Sequence, residues 1–430
     1  IPLTSANYSI NPMGRNDGRF NFFKASFQQQ PPETVITNDW LAERIYEADA
    51  IEVLRKIKQT DAYEKGLDAA LEAPLTLTRN TLTDPVKTLE SIPDGLSNIL
   101  QDLGAAIGST GKGGQKEDNA LVKDLIGFNK VKRKLASELG VDVYSSNALL
   151  QQEMDDVAWA MFAGGAVIDV ALTAAPLLAS LSVHIAEEAN TGNLSWSVPP
   201  ATIQQGMARA VKNSGLNDAE TEALVFHKAC SLNHVSSIVT NMSALGNVRG
   251  VDNFYRAVNL IRAERPCRDY RKLAQLAYLY HVRQAPLVSI SMKNHVIAAR
   301  DVAGRNVLMV VADYMAYNEV NEPLFDAGAN LIWTSGFVSS LALQVFYSQR
   351  IAVETEVLKR YKAPLDIVAV LLPERVQQMG DQGGDTNRTG EVVDDVTSGV
   401  GDVVNGVLGT LTAPLSGSSG GQQDSTAKDE

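Results

Sequence analysis

Side chains suited to nucleophilic or metal chemistry are scarce in this chain, with 5 His and 2 Cys in 430 residues. Two of those histidines and one cysteine share one short stretch, FHKACSLNH, from Phe226 to His234. On an uninterrupted helix, His227, Cys230 and His234 would lie within about 60° of one another. Neutral imidazole and thiolate bind Zn²⁺ well, so these three residues are a metal candidate, with Cys267, His281 or His295 available as a fourth ligand. The spacing H-x-x-C-x-x-x-H is not a zinc signature, and Ser231 and Asn233 can end a helix. Leu224, Leu232, Val235 and Val239 centre on the opposite face, which makes the two histidines bystanders on the less buried side. No resident metal and no cofactor are assigned.

A disulfide between Cys230 and Cys267 is the sharper expectation. It needs Cα atoms within about 7 Å and an oxidising compartment. Closing a loop of that length is worth about 4 kcal/mol on the chain-entropy account.

A second candidate lies in WTSGFVSS, Trp333 to Ser340. Thr334, Ser335 and Gly336 stand between an expected strand and an expected helix N-terminus, where free N–H groups can hold an anion. Capping of that helix by Ser335 explains the same residues without a ligand. RAERPCRDYRK, Arg262 to Lys272, is a basic cluster that either docks an acidic partner or forms a solvated junction between helices.

Catalytic signatures are otherwise missing. The chain has no Gly-x-Ser-x-Gly set between an expected strand and helix, as an elbow requires, and no His-Glu-x-x-His. His184 with Glu187 and Glu188 lacks the second pair that a di-metal bundle needs. The neighbours Asp155-Asp156 and Asp394-Asp395 point to different faces of a helix and make no shared acid–base site. DLGAAIGSTGKGGQ departs from the phosphate-loop pattern at two positions and lacks the preceding strand.

The elements that must position these residues read as α+β. Residues 1–35 are an extended arm whose Phe20, Phe22, Phe23 and Phe27 need a surface to pack on, either the chain's own or a neighbouring subunit's. Residues 36–108 are helical, opening with Leu41, Ile45, Ala48, Ile51 and Leu54 at helical spacing, and 109–118 is a flexible linker. Residues 119–285 form a helical domain, with Ser146 or Asn147 capping one helix, Asn217 and Glu220 forming a capping box, and Asp269 capping another helix. Within it, Val157–Val183 is the most apolar stretch. Its Ala-rich composition, Gly164-Gly165 and Pro176 favour a buried helical hairpin over a membrane span.

Residues 286–377 form a small mixed-sheet α/β subdomain: a three-stranded antiparallel meander, a helix near Asn318–Asp326, then one βαβ unit. Residues 378–430 are a largely disordered tail, with a conditional amphipathic segment at 391–412.

The formal net charge of −12 disfavours nucleic acid and anionic membrane surfaces as partners. The chain opens at Ile1 rather than Met, as after removal of a signal peptide or of a tag; the first origin gives the expectation of an exported (periplasmic or extracellular) protein. The first functional expectation is a non-catalytic binding or assembly protein. It would use the N-terminal arm and the C-terminal segment to reach protein partners or sister subunits. The alternatives are an enzyme with a cleft near Thr334–Gly336, gathering His281 or His295, and a membrane-inserting protein acting through Val157–Val183.

Overall fold

The computed structural model describes residues 2–72, 116–165, 198–293, 295–319, 321–325, 328–361 and 370–371. The chain is α+β, as its patterning implies. Residues 109–115 of the expected linker, most of Val157–Val183, His184 with its glutamates, and the tail from 378 lie outside the described residues, while 116–118 are not linker but the start of a helix.

The N-terminal arm folds into a small antiparallel sheet. Strand β3 (Asn21–Phe27) pairs with β1 (Tyr8–Ile10) and β2 (Arg15–Asn16) on one edge and with β4 (Glu33–Ile36) on the other. Its alternate residues Ala25 and Phe27, with Tyr8, Ile10 and Val35, pack on Leu41, Ile45 and Ala48 of helix α1 (Asn38–Ile57). Phe20, just before β3, points instead into the core of the later helices. The surface needed by the arm's aromatics is therefore the chain's own.

The second half of α1 shares a core with α2 (Asp61–Glu72), α3 (Lys116–Leu139) and α4 (Ala148–Ala163). Asn147 caps α4 through its side chain. Gly164 follows α4 so closely against α2 that an added Cβ would stand 1.7 Å from the Gly66 carbonyl oxygen. Asp155 and Asp156 point apart, to Lys132 and Lys58 respectively.

A separate core joins α5 (Pro200–Val211), α6 (Asp218–Val225), α7 (Leu232–Ser243), α8 (Val251–Asn259) and α9 (Glu264–Arg283). The cores thus do not follow the stretch 119–285 read as one domain: α3 and α4 pack with α1 and α2, whereas α5 to α9 pack on the sheet. Asn217 and Glu220 form the expected capping box. Asp269 does not cap a helix. Helix α9 begins six residues earlier than that reading, at Glu264, because Pro266 falls in the first turn, where no N–H bond is lost.

The expected meander is present as β5 (Leu287–Lys293), β6 (Val296–Asp301) and β7 (Asn306–Val310). Two-residue β8 (Tyr314–Met315) and one-turn helix α10 (Glu322–Phe325) follow. Strand β9 (Leu331–Thr334) lies parallel to β7, and β11 (Ala352–Glu354) lies parallel to β9. Between them, β10 (Phe337–Val338) pairs with β8, and α11 (Ser340–Ser348) makes the crossover. A short α12 (Val357–Arg360) ends this part. The sheet order is β11-β9-β7-β6-β5. Period-two alternation sends Ile297, Val307, Met309 and Trp333 to the α5–α9 core, and Val296, Leu308, Val310 and Ile332 to a core under α11.

Candidate functional site

The helix assumed through FHKACSLNH does not exist as one piece. Helix α6 ends at Val225 and α7 begins at Leu232, with Ser231 as its N-cap. The side chain of Ser231 accepts from the His234 N–H, which is the short polar residue favouring a cap over a helix interior. The turn between is organised by His227. Its Nδ1 accepts from the N–H of Ala229 (3.1 Å) and Cys230 (3.0 Å), while Nε2 meets the Val258 carbonyl oxygen at 3.0 Å. His234 shares a 2.8 Å hydrogen bond with Ser231 Oγ. It is buried, not a surface bystander. Burial, and then the charges of Arg268 and Arg271, hold its pKa well below the ordinary value. His227, Cys230 and His234 therefore form no ligand face. Among the described residues no group of three or more His, Cys, Asp or Glu side chains is placed to hold a metal ion.

Cys230 and Cys267 form a disulfide, with Cα atoms 5.5 Å apart. It ties the α6–α7 turn to the first turn of α9, and both cysteines are buried.

The turn after β9 is filled by its own chain. Thr334 is fully buried. Ser335 Oγ accepts from the Ala312 N–H (3.1 Å) and donates to the Ala312 carbonyl (3.0 Å). A Cβ on Gly336 would stand 2.1 Å from that same oxygen, so only glycine allows the approach. Ser335 does not cap the following helix. Ser339 does, accepting from Ala342, because β10 intervenes between the turn and α11. Thr334, Ser335 and Gly336 thus do not sit at a helix N-terminus, and the anion reading of these three residues fails. His281 accepts from the Leu287 N–H at 3.0 Å, and His295 stands in the β5–β6 turn with φ of 60°.

The basic cluster of α9 meets an acidic row on α1. Arg268 forks onto Glu43 at 2.5 and 2.9 Å and also reaches Glu264 at 2.8 Å. Lys272 pairs with Asp39. The Arg268 guanidinium lies 5.0 Å from the Trp40 ring centre, and that of Arg265 lies 4.3 Å from Phe20. Burial pushes the Glu43 carboxyl up, but the charge and hydrogen bonds of Arg268 outweigh it and hold the pKa below the ordinary value. A cavity of about 10 Å³ remains between α1 and α9, room for about one water. This junction is closed.

The uncovered surface is elsewhere, on α11 and the β8–β10 pair. Helix α11, SLALQVFYS, contains no charged residue. Ala342 and Phe346 fill the core beneath it, while Leu341 is 55% exposed and Tyr347 58%. Phe337 is 52% exposed and pairs in register with the exposed Tyr314. The Lys359 ammonium lies 5.8 Å from the Phe337 ring centre. Sequence reading missed these residues, although one signal was there: SLALQVFYS carries no charge, whereas a surface helix usually sets charged residues on its solvent face. Chemically this surface can exclude water from a partner.

No protein-family model, no curated protein and no solved structure matches the chain. Function must therefore be argued from this geometry alone.

Proposed function

We propose that this is a non-catalytic exported binding or assembly protein that contacts protein partners or sister subunits through the face formed by α11, β8 and β10. The observations that carry the reading are the uncharged helix α11, with Leu341 and Tyr347 more than half exposed, and the exposed pair Phe337 and Tyr314 on β10 and β8. Lone exposed apolar residues are ordinary, but aromatic and leucine side chains gathered on a charge-free element have the composition of an interface core. The N-terminal arm does not serve as the reaching element in this reading, since Phe20 and Phe27 are buried in the chain itself. Export is supported by the disulfide, which persists in an oxidising compartment. Among the described residues no helix is long and apolar enough to cross a membrane.

Leu341→Glu is the test. It places a charge at the centre of the face without touching a core atom, so it should abolish association seen by sedimentation while leaving the far-ultraviolet circular dichroism unchanged. Association that survives it refutes the face. Intact mass with and without reductant checks the disulfide, and free thiols in protein isolated from its native source would remove the argument for export.

A further inference from the structure

We infer that the partner on this face is a second copy of the chain, joined across a two-fold axis by antiparallel pairing of strand β11 with itself; the inference rests on the binding role proposed above. Strand β11 is an edge of the five-stranded sheet, with β9 as its one strand neighbour among the described residues. The Ala352 N–H donates to the Asn330 carbonyl at 3.0 Å, so Ala352 faces β9. Backbone groups alternate along a strand, which turns the N–H and C=O of Val353 outward.

A two-fold axis through the middle of β11 sets Val353 opposite Val353 of the second copy. Directly opposed residues in an antiparallel ladder exchange both N–H···O bonds, and Val353 is the residue with both groups available. The flanking pairs follow without further choice. Ala352 faces Glu354 of the second copy, so no two carboxylates meet. Arg350, just before the strand, comes opposite Glu356 of the second copy, just after it. Both lie at strand ends in left-handed backbone conformations, with φ of 61° and 51°. The register is thus self-complementary in hydrogen bonds, as an isologous contact requires, and it opposes unlike charges at Arg350 and Glu356, the latter also paired with Lys359 of its own chain at 3.3 Å.

The neighbouring helix fits the same operator. Helix α11 packs against β11, and the axis brings the two copies of α11 together. Its outward residues are Leu341, Gln344, Tyr347 and Ser348, all exposed and none charged. Edge strands are usually blunted by being very short, by charged residues such as Lys, by Pro or by a bulge, and β11, at three residues, has the first of these. Here the edge has neither Lys nor Pro, and its carboxylate Glu354 is bonded to Arg360 at 2.7 Å.

Sedimentation velocity of the full chain over a wide concentration range tests the inference. A species of twice the chain mass is expected. Val353→Pro removes an outward donor that β9 does not use, so it should weaken the dimer about tenfold or more while circular dichroism holds. Arg350→Glu should weaken it by opposing Glu356, and adding Glu356→Arg should restore it. A chain that stays monomeric throughout overturns the inference. So does a dimer that Val353→Pro and Arg350→Glu both leave intact; if Leu341→Glu alone breaks that dimer, the binding face stands and the β11 pairing falls.

Discussion

Helices α9 and α11 invert the usual rule. Helix α9 opens on a dense run of charge, yet Arg268 and Lys272 are covered, because Glu43 and Asp39 of α1 meet them. Helix α11 carries no charge, yet two of its large apolar side chains face water. A buried charge must find its counter-charge within the chain, or folding fails on the desolvation cost. An exposed apolar side chain costs much less and can wait for a partner from outside. The contrast separates surface spent on folding from surface left for binding.

That contrast can be attacked at four strengths. Replacing Cys230 and Cys267 by Ser frees the start of α9 and should cost about 4 kcal/mol in denaturant unfolding, for a loop of 37 positions. Glu43→Gln leaves Arg268 with Glu264 alone, and about 3 kcal/mol of stability should be lost at neutral pH. The Glu43 pKa is depressed, so its contribution is present above the ordinary carboxylate range and disappears as pH falls through the folded value. The difference between wild type and variant should therefore shrink below about pH 4.

Asp142 gives the opposite sign. Burial pushes its carboxyl up to about 6, against the lowering effect of the Tyr144 N–H and Asn233. A raised pKa means the ionised form is penalised in the folded state. The penalty is complete above about pH 6 and absent below the unfolded value near 4. Asp142→Asn keeps the acceptor for Tyr144 and should stabilise by about 1–2 kcal/mol at pH 8, with no gain at pH 4. Leu341→Gln should be the smallest, within about 0.5 kcal/mol in stability, because its side chain belongs to the contact rather than the fold.

Much of the fold was legible because local rules agreed with it. Asn147 caps α4, Asn217 and Glu220 box α6, and the meander with one parallel crossover follows from alternation and turn residues. The errors share one cause. His234 was read from a helix that Ser231 interrupts, Ser335 from a helix start that β10 displaces, and Asp269 from a helix that Pro266 begins earlier. In each case periodicity was right and a boundary was wrong by a few residues, enough to turn a side chain to another face.

The pairing of Cys230 with Cys267 needed only a count of two cysteines and a judgement that their segments meet. The partners of Arg268 and Lys272 were not knowable that way, because Glu43 and Asp39 lie over two hundred residues away in the chain. By itself the sequence determined the elements, their caps and the α+β class, since these rest on interactions between near neighbours. Only the tertiary structure decided which charges were covered and which apolar faces were left open. Burial is a property of where distant segments come to rest, and no local pattern records it.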